Sequence, residues 1–261
     1  MTAKTPSKRG AKQTGKNLFE TADQGGFNTP AAKLPPEPAG KLLVAPRMIA
    51  FEGPIRVGKS TLAGMLAQKL GARRITEPEH NPFLDRFYQS EPGMGFATQM
   101  WFLMERYEQF LNSSAAAAND VVAQPLVADY IFEKDKLFAC INLSDAELAT
   151  YNRYYQLLRP QVRTPDLVVY LQATPEVLKA RLKRKGVAGE RAISDKYLEQ
   201  VVEAYEHFFF HYTASDLLIV DTSEIDFVNS KRDLQLLLAR IEEPVKGKQY
   251  FRPMAAEKQR A

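Results

Sequence analysis

From residue 47 onward the chain alternates between two hydrophobic rhythms. Apolar runs at 48–52, 72–76, 121–128, 167–171 and 217–220 are too short for helices and read as buried strands. Between them, apolar residues three and four apart predict helices at 60–70, 96–111, 132–138, 145–158, 195–212 and 226–241, with another starting at Thr174. In the first of these Leu62, Met65, Leu66 and Leu70 share one face. Two starts are marked chemically: Ser144 with Glu147 makes a capping box, and Thr174 ahead of Pro175 supplies a capping hydroxyl and a first-turn proline. Continuous apolar strands alternating with helices predict an α/β fold, a five-stranded parallel sheet covered by helices on both faces. The pattern spans 47–245 as one domain without internal repeats.

Residues 1–46 lack this rhythm and are rich in Lys, Gly, Pro, Thr and Ala, the composition of a disordered basic tail. The chain carries 35 Lys and Arg against 31 Asp and Glu. The whole excess of +4 lies in the tail, so the folded part is neutral and no nucleic-acid surface is indicated. A polyanion-binding arm and a transit peptide are the functional readings of the tail; Glu20 and Asp23, with lysine outnumbering arginine, speak against the second. Residues 246–261 are expected to be a flexible C-terminal tail. Cys140 is the only cysteine, and its apolar setting, LFACINL, reads as a buried thiol in a reducing compartment. No run reaches the ~18 apolar residues of a membrane helix, and no secretory core follows the basic start. The expected location is cytoplasmic, with no membrane partner.

The chemistry gathers in MIAFEGPIRVGKST, residues 48–61. Gly53 and Gly58 bracket four residues ahead of Lys59 and Ser60, the spacing of a phosphate-binding P-loop. Glycine lets backbone N–H groups approach a polyphosphate, and the following helix adds the positive end of its dipole. Gly53, Pro54, Ile55, Arg56, Val57, Gly58, Lys59, Ser60 and Thr61 are therefore assigned to the phosphates of ATP, with Lys59 on the β/γ-phosphates and the Ser60 hydroxyl on Mg²⁺. Glu52, at a strand end directly before the loop, fits either a general base for a hydroxyl attacking the γ-phosphate or an acid paired with a nearby cation. Gln99 and Arg106, seven positions apart, share a helical face and can offer an amide and a guanidinium to a base edge. Trp101, Phe102 and Leu103 fit pocket walls or core. Arg181, Arg184 and Lys185 form a basic helical face, able to close over a triphosphate or to stabilise the helix end before Gly186.

Five stretches carry a resemblance over residues 47–241: FEGPIRVGKST, EPEHNPFLDRFY, FATQMWFLMERYEQF, VADYIFEKDKLFA and RLKRKGVAGERAISDKYLEQVVEAYEHFF. In them the chain resembles the deoxynucleoside kinase family, P-loop kinases that phosphorylate the 5′-hydroxyl of deoxynucleosides, and especially its bacterial deoxyadenosine/deoxyguanosine kinase-like members. The resemblance implies an ATP-dependent 5′-phosphotransferase for nucleotide salvage, purine-preferring, using Mg²⁺, with a lid segment and a homodimer formed through a helix bundle. It implies Glu52 as general base, Gln99 and Arg106 as readers of the nucleobase, and Tyr88 with Glu190 as holders of the sugar 3′-hydroxyl. From the residues alone, Tyr88 also fits a structural hydrogen bond and Glu190 a solvated loop charge. The resembling lid lacks an arginine after Gly186, where Val187 stands. A larger departure is Ala128-Asp129-Tyr130, where the better-studied animal members carry an acid-Arg-Ser triplet, so that Asp129 takes the place of a catalytic arginine. A strand-end Asp can hold Mg²⁺ through water or pair with Lys59 or a lid arginine. The expected catalytic set is thus Glu52, Lys59, Arg181 and Asp129. Two other functions fit the same loop: a nucleoside monophosphate kinase such as a thymidylate kinase, and a non-catalytic nucleotide-binding subunit of the same fold.

Overall fold

The apolar run Met48–Glu52 becomes a strand, β1, whose five residues are all buried. Alternation splits its side chains between two cores. Met48 and Ala50 face one cluster, which includes Leu103, Tyr151 and Tyr205, while Ile49 and Phe51 face the other, with Leu62, Leu66 and Leu237. By the same period of two, Glu52 belongs to the first face. The computed structural model describes residues 47–119, 124–186 and 193–253, apart from the side chains of 114–119. The tail expected at 1–46 and Glu190 lie outside them.

The further strands are β2 (Arg73–Ile75), β3 (Leu126–Ala128), β4 (Leu167–Gln172), β5 (Asp216–Asp221) and β6 (Lys248–Phe251). All pair in parallel in the order β2-β3-β1-β4-β5-β6. After β1 the chain skips a position to β2, returns to β3 and then crosses to β4 on the opposite side of β1. The direction of winding therefore switches beside β1, and the crevice beyond its carboxyl end is where such sheets bind ligands. The helices are α1 (Lys59–Leu70), α2 (Leu84–Tyr88), α3 (Met94–Asn119), α4 (Lys134–Asn142), α5 (Asp145–Leu158), α6 (Pro175–Lys185), α7 (Asp195–Phe210) and α8 (Lys231–Glu242).

The sheet has six strands rather than five. Residues 248–251, expected in a flexible tail, pair with β5 from Leu217↔Lys248 to Val220↔Phe251. Their side chains alternate between exposed and half-buried, so this edge strand lacks the continuous apolar run that marks the others. Helix α3 runs past residue 111 to Asn119 because the alanines that follow favour helix without any apolar period. Strand β3 is correspondingly shorter than 121–128, part of which lies outside the described residues. Helix α8 starts at Lys231, not 226: Ser230 accepts from Asp233 N, while Asp226 accepts from Asn229 in the turn before it. Helix α5 keeps its expected limits, and its capping box is formed.

Candidate active site

The loop after β1 is built on two glycines for different steric reasons. Gly53 has φ +147°, and a Cβ there would lie 2.3 Å from the Leu171 carbonyl oxygen of neighbouring β4. Gly58 caps α1 at φ +109°, where a Cβ would meet the Phe227 ring at 2.4 Å. Both sit at a positive φ that L side chains rarely adopt and leave no room for a side chain. The Lys59 ammonium folds under the loop and donates to Gly53 O (2.6 Å) and Pro54 O (3.1 Å). Burial and the nearby Lys134 push its pKa down to about 8, against the pull of Glu52, Glu77 and Asp129. Ser60 is exposed in the first turn of α1, where backbone N–H groups have no helical acceptor.

Glu52 is fully buried, yet well supplied with donors. Its Oε1 accepts from Gly53 N (2.9 Å) and the Tyr205 hydroxyl (2.9 Å), and its Oε2 from Ile131 N (3.0 Å). No cation is hydrogen-bonded to it among the described residues, so the paired strand-end acid is not what the structure shows.

Beside Glu52 lies a network that the sequence reading assembled only in part. Gln99 and Arg106, on one face of α3, both reach Asp135 of α4: the Gln99 amide nitrogen donates to its carbonyl and to Oδ1, each at 2.8 Å, and Arg106 donates to Oδ2. Asp135 also accepts from the Tyr151 hydroxyl (2.6 Å). Two acceptors fix the orientation of the Gln99 amide, turning its carbonyl oxygen away. Arg106 further donates to Glu77 Oε1 (2.9 Å) and lies 4.6 Å from the centre of the Phe102 ring. Its buried Nε has no partner among the described residues. The buried Lys134 donates to Glu77 as well, at 2.7 Å. Burial pushes the Asp135 carboxyl up against the pull of Arg106. Burial also opposes Glu77 ionisation, but Lys134 and Arg106 outweigh it and hold that carboxyl well below the usual range. Leu103 is core and Trp101 packs edge-on against Phe102.

Among the described residues Asp129 pairs with neither Lys59 nor a lid arginine. Its Oδ1 accepts from Glu77 N (2.8 Å) and its Oδ2 from Arg74 (3.1 Å), which also donates to Ser60 O (2.8 Å). It thus ties the ends of β2 and β3 to the start of α1, and its field, one of those that raise the Lys59 pKa, acts from within that scaffold. Each oxygen takes one donor and keeps a lone-pair site, which leaves room for the water-mediated contact to Mg²⁺ expected of a strand-end acid. No group of three acidic, His or Cys residues able to hold a metal exists among the described residues. The exposed Ser60 hydroxyl does fit Mg²⁺ that arrives with nucleotide phosphates, which supply most of such an ion's oxygens. Arg181 is likewise committed: it donates to Val57 O, Thr222 O and Ile225 O, joining the phosphate loop to the segment after β5. Burial pushes its pKa down. It borders a cavity of about 220 Å³ together with Arg56, Gly58, Thr61, Arg184 and Lys185. Arg184 is exposed and 3.4 Å from Asp226. Tyr88 ends α2, 40% exposed, its ring tilted against Phe87.

A model of the deoxynucleoside kinase family matches residues 49–246, all of this sheet but Met48 and the last edge strand. The chain belongs to the deoxynucleoside kinase family. It is 36% identical over 200 residues to a deoxyguanosine kinase of Bacillus subtilis, covering 75% of this chain and 96% of that one. A deoxyadenosine/deoxycytidine kinase of the same organism is 26% identical over 202 residues, covering 74% and 91%. In architecture the chain is similar to the deoxyadenosine kinase of M. mycoides solved with bound dATP, at a TM-score of 0.63 and 24% identity, over 76% of this chain and 100% of that one. Membership makes the chain a deoxynucleoside kinase. Sequence reasoning missed Glu77, Lys134, Asp135, Tyr151 and Tyr205 in this kinase's site. The available signal was polarity out of place: Lys134 and Asp135 interrupt a segment whose neighbours Ile131, Phe132 and Leu137 are core.

Proposed function

We propose that the protein transfers the γ-phosphoryl group of ATP to the 5′-hydroxyl of a purine deoxynucleoside, forming the monophosphate. One observation carries this reading: the Glu52 carboxylate stands one residue ahead of the phosphate loop, so a proton acceptor and a phosphate cradle adjoin at the carboxyl end of the central strand. Lys59 leaves its carbonyl partners for the phosphates and neutralises charge there, and the first-turn N–H groups of α1 hold the oxygens. Mg²⁺ bound with ATP supplies Lewis-acid stabilisation, with Ser60 as its protein ligand. Arg184, Lys185 and Thr61, around the cavity beside the loop, serve the donor nucleotide, and Arg181 holds that cavity's wall. Asp129 serves as scaffold and as a source of negative field at Lys59.

The acceptor base belongs beside Gln99, Arg106 and Asp135, whose free Nε–H, amide carbonyl and carboxylate suit the mixed donor and acceptor edge of a purine. The name of the deoxyguanosine kinase of Bacillus subtilis supports this, and the second relative from that organism is named for a purine and a pyrimidine deoxynucleoside. Tyr88 and Glu190 are assigned to the sugar 3′-hydroxyl. Because Glu52 is shielded from water, the side chains over it must part before a hydroxyl reaches it. Tyr154 and Leu157 on α5 and Met104 on α3 are exposed apolar residues that support a homodimer through these helices. No helix among the described residues is long and apolar enough to cross a membrane, and the single cysteine supports a cytoplasmic location.

The test is ATP-dependent conversion of a deoxynucleoside panel. Turnover of deoxyguanosine or deoxyadenosine ahead of the pyrimidines is expected, with Glu52→Gln lowering kcat by roughly 100- to 10,000-fold, the range of a lost general base. Turnover of monophosphates alone, or of no deoxynucleoside by folded protein, would overturn it.

A further inference from the structure

Glu52 is held by two backbone groups and one side chain, and the side chain comes from α7, more than 150 residues away in sequence. That residue, Tyr205, is fixed before it touches the carboxylate. Its ring is 1% exposed and lies nearly parallel to Tyr170 of β4 (6.1 Å, 14°) and Phe209 (6.4 Å, 11°), with Phe138 of α4 packed on edge (6.3 Å, 77°). Tyr170 is the register partner of Glu52 across the β1–β4 pair, which places the aromatic stack level with the carboxylate. Burial and the neighbouring Glu52 push the Tyr205 hydroxyl well above its ordinary pKa, so it keeps its proton and acts as a donor.

The distribution of donors over the two carboxylate oxygens is uneven. Each oxygen offers two lone-pair sites. Oε1 takes two donors, Gly53 N and Tyr205, and is filled; Oε2 takes one, Ile131 N, and retains a site. We infer that Tyr205 is a positioning residue for phosphoryl transfer, which by filling Oε1 leaves Oε2 as the atom that receives the acceptor's proton. This rests on the reading of Glu52 as the base. In the step, the acceptor hydroxyl oxygen forms a bond to the γ-phosphorus, its proton passes to Glu52 Oε2, the bond from that phosphorus to the bridging oxygen breaks, and the electron pair leaves with ADP. Without the Tyr205 hydroxyl the two backbone donors still hold the carboxylate, but Oε1 regains a lone-pair site and competes for the proton from an unaligned position.

The discriminating experiment is a double-mutant cycle. Tyr205→Phe keeps the ring stack and removes only the hydroxyl; kcat, both KM values and Tm are measured for it, for Glu52→Gln and for the pair, at a temperature well below every melting transition. The expected result is a kcat lowered about 10- to 100-fold in Tyr205→Phe, as for one hydrogen bond to a charged group. KM for deoxynucleoside and for ATP should stay within about twofold. In the Glu52→Gln background, the second substitution should cost less than about threefold, because a residue acting only through Glu52 has nothing left to position. Wild-type kcat in Tyr205→Phe, or an undiminished cost in the Glu52→Gln background, overturns the role of Tyr205 while leaving the base intact. Wild-type kcat in Glu52→Gln overturns the reading of the base and the positioning role with it.

Discussion

Lys59 shows how one residue's surroundings set its working range. A lysine with its pKa near 8 is half neutral at that pH, and the arriving triphosphate recharges it. ATP binding should therefore take up a proton around pH 8, and affinity should decline as the pH rises beyond it. Calorimetry in two buffers of different ionisation enthalpy measures the uptake; equal apparent enthalpies would contradict the shift. Gly53 makes a steric case of comparable sharpness. Gly53→Ala places a methyl against the Leu171 carbonyl at a φ reserved for glycine, and a loss of about 2 kcal/mol in denaturant unfolding is expected. The importance of these residues was legible in spacing alone. That of Lys134 and Glu77 was not: they are 57 positions apart, and a buried ion pair leaves no periodic trace in either segment.

At the scale of elements, the Glu77 carboxylate joins α3 to α4 through Arg106 and Lys134. Removing its charge leaves two buried cations without their shared anion. Glu77→Gln should cost about 2 kcal/mol, below the usual 3–5 for a broken buried pair because Glu77 is a third exposed. The sign with pH is definite. A carboxyl held below its ordinary value of 4.5 contributes stability above that value and loses it as the pH falls further. The variant should accordingly show a flatter acid limb in its unfolding curves, and parallel limbs would refute the assignment. Elements with two independent marks were the readable ones: α5 has both a period and a capping box, and its limits match. β6 carries neither an apolar run nor a capping signal, and α3 outlasts its apolar stripe on alanine propensity, so both limits escaped a reading by pattern.

For the whole molecule, the sheet order explains why so much of the fold was visible and so little of the site's wiring. A parallel sheet buried on both faces writes its strands as apolar runs, whereas the contacts that it brings together, Glu52 with Tyr205 and Arg74 with Asp129, join residues far apart in sequence. Assembly of two copies through α3 and α5 is a prediction at this scale: the protein should sediment as a dimer, and Leu157→Glu, at a position 69% exposed, should yield a monomer.

The place of β1 between β3 and β4 also sets a timetable. Ile49 pairs with Val127 on one side and Leu167 on the other, so the strand leading into the phosphate loop emerges from the ribosome long before either neighbour. At about 5–20 residues per second, the second edge waits on the order of ten seconds. Through that interval a strand destined to be wholly buried in the catalytic centre has an open edge, and nascent chains halted before residue 167 should be the protease-sensitive and chaperone-bound species, while those extending well past 172 should resist.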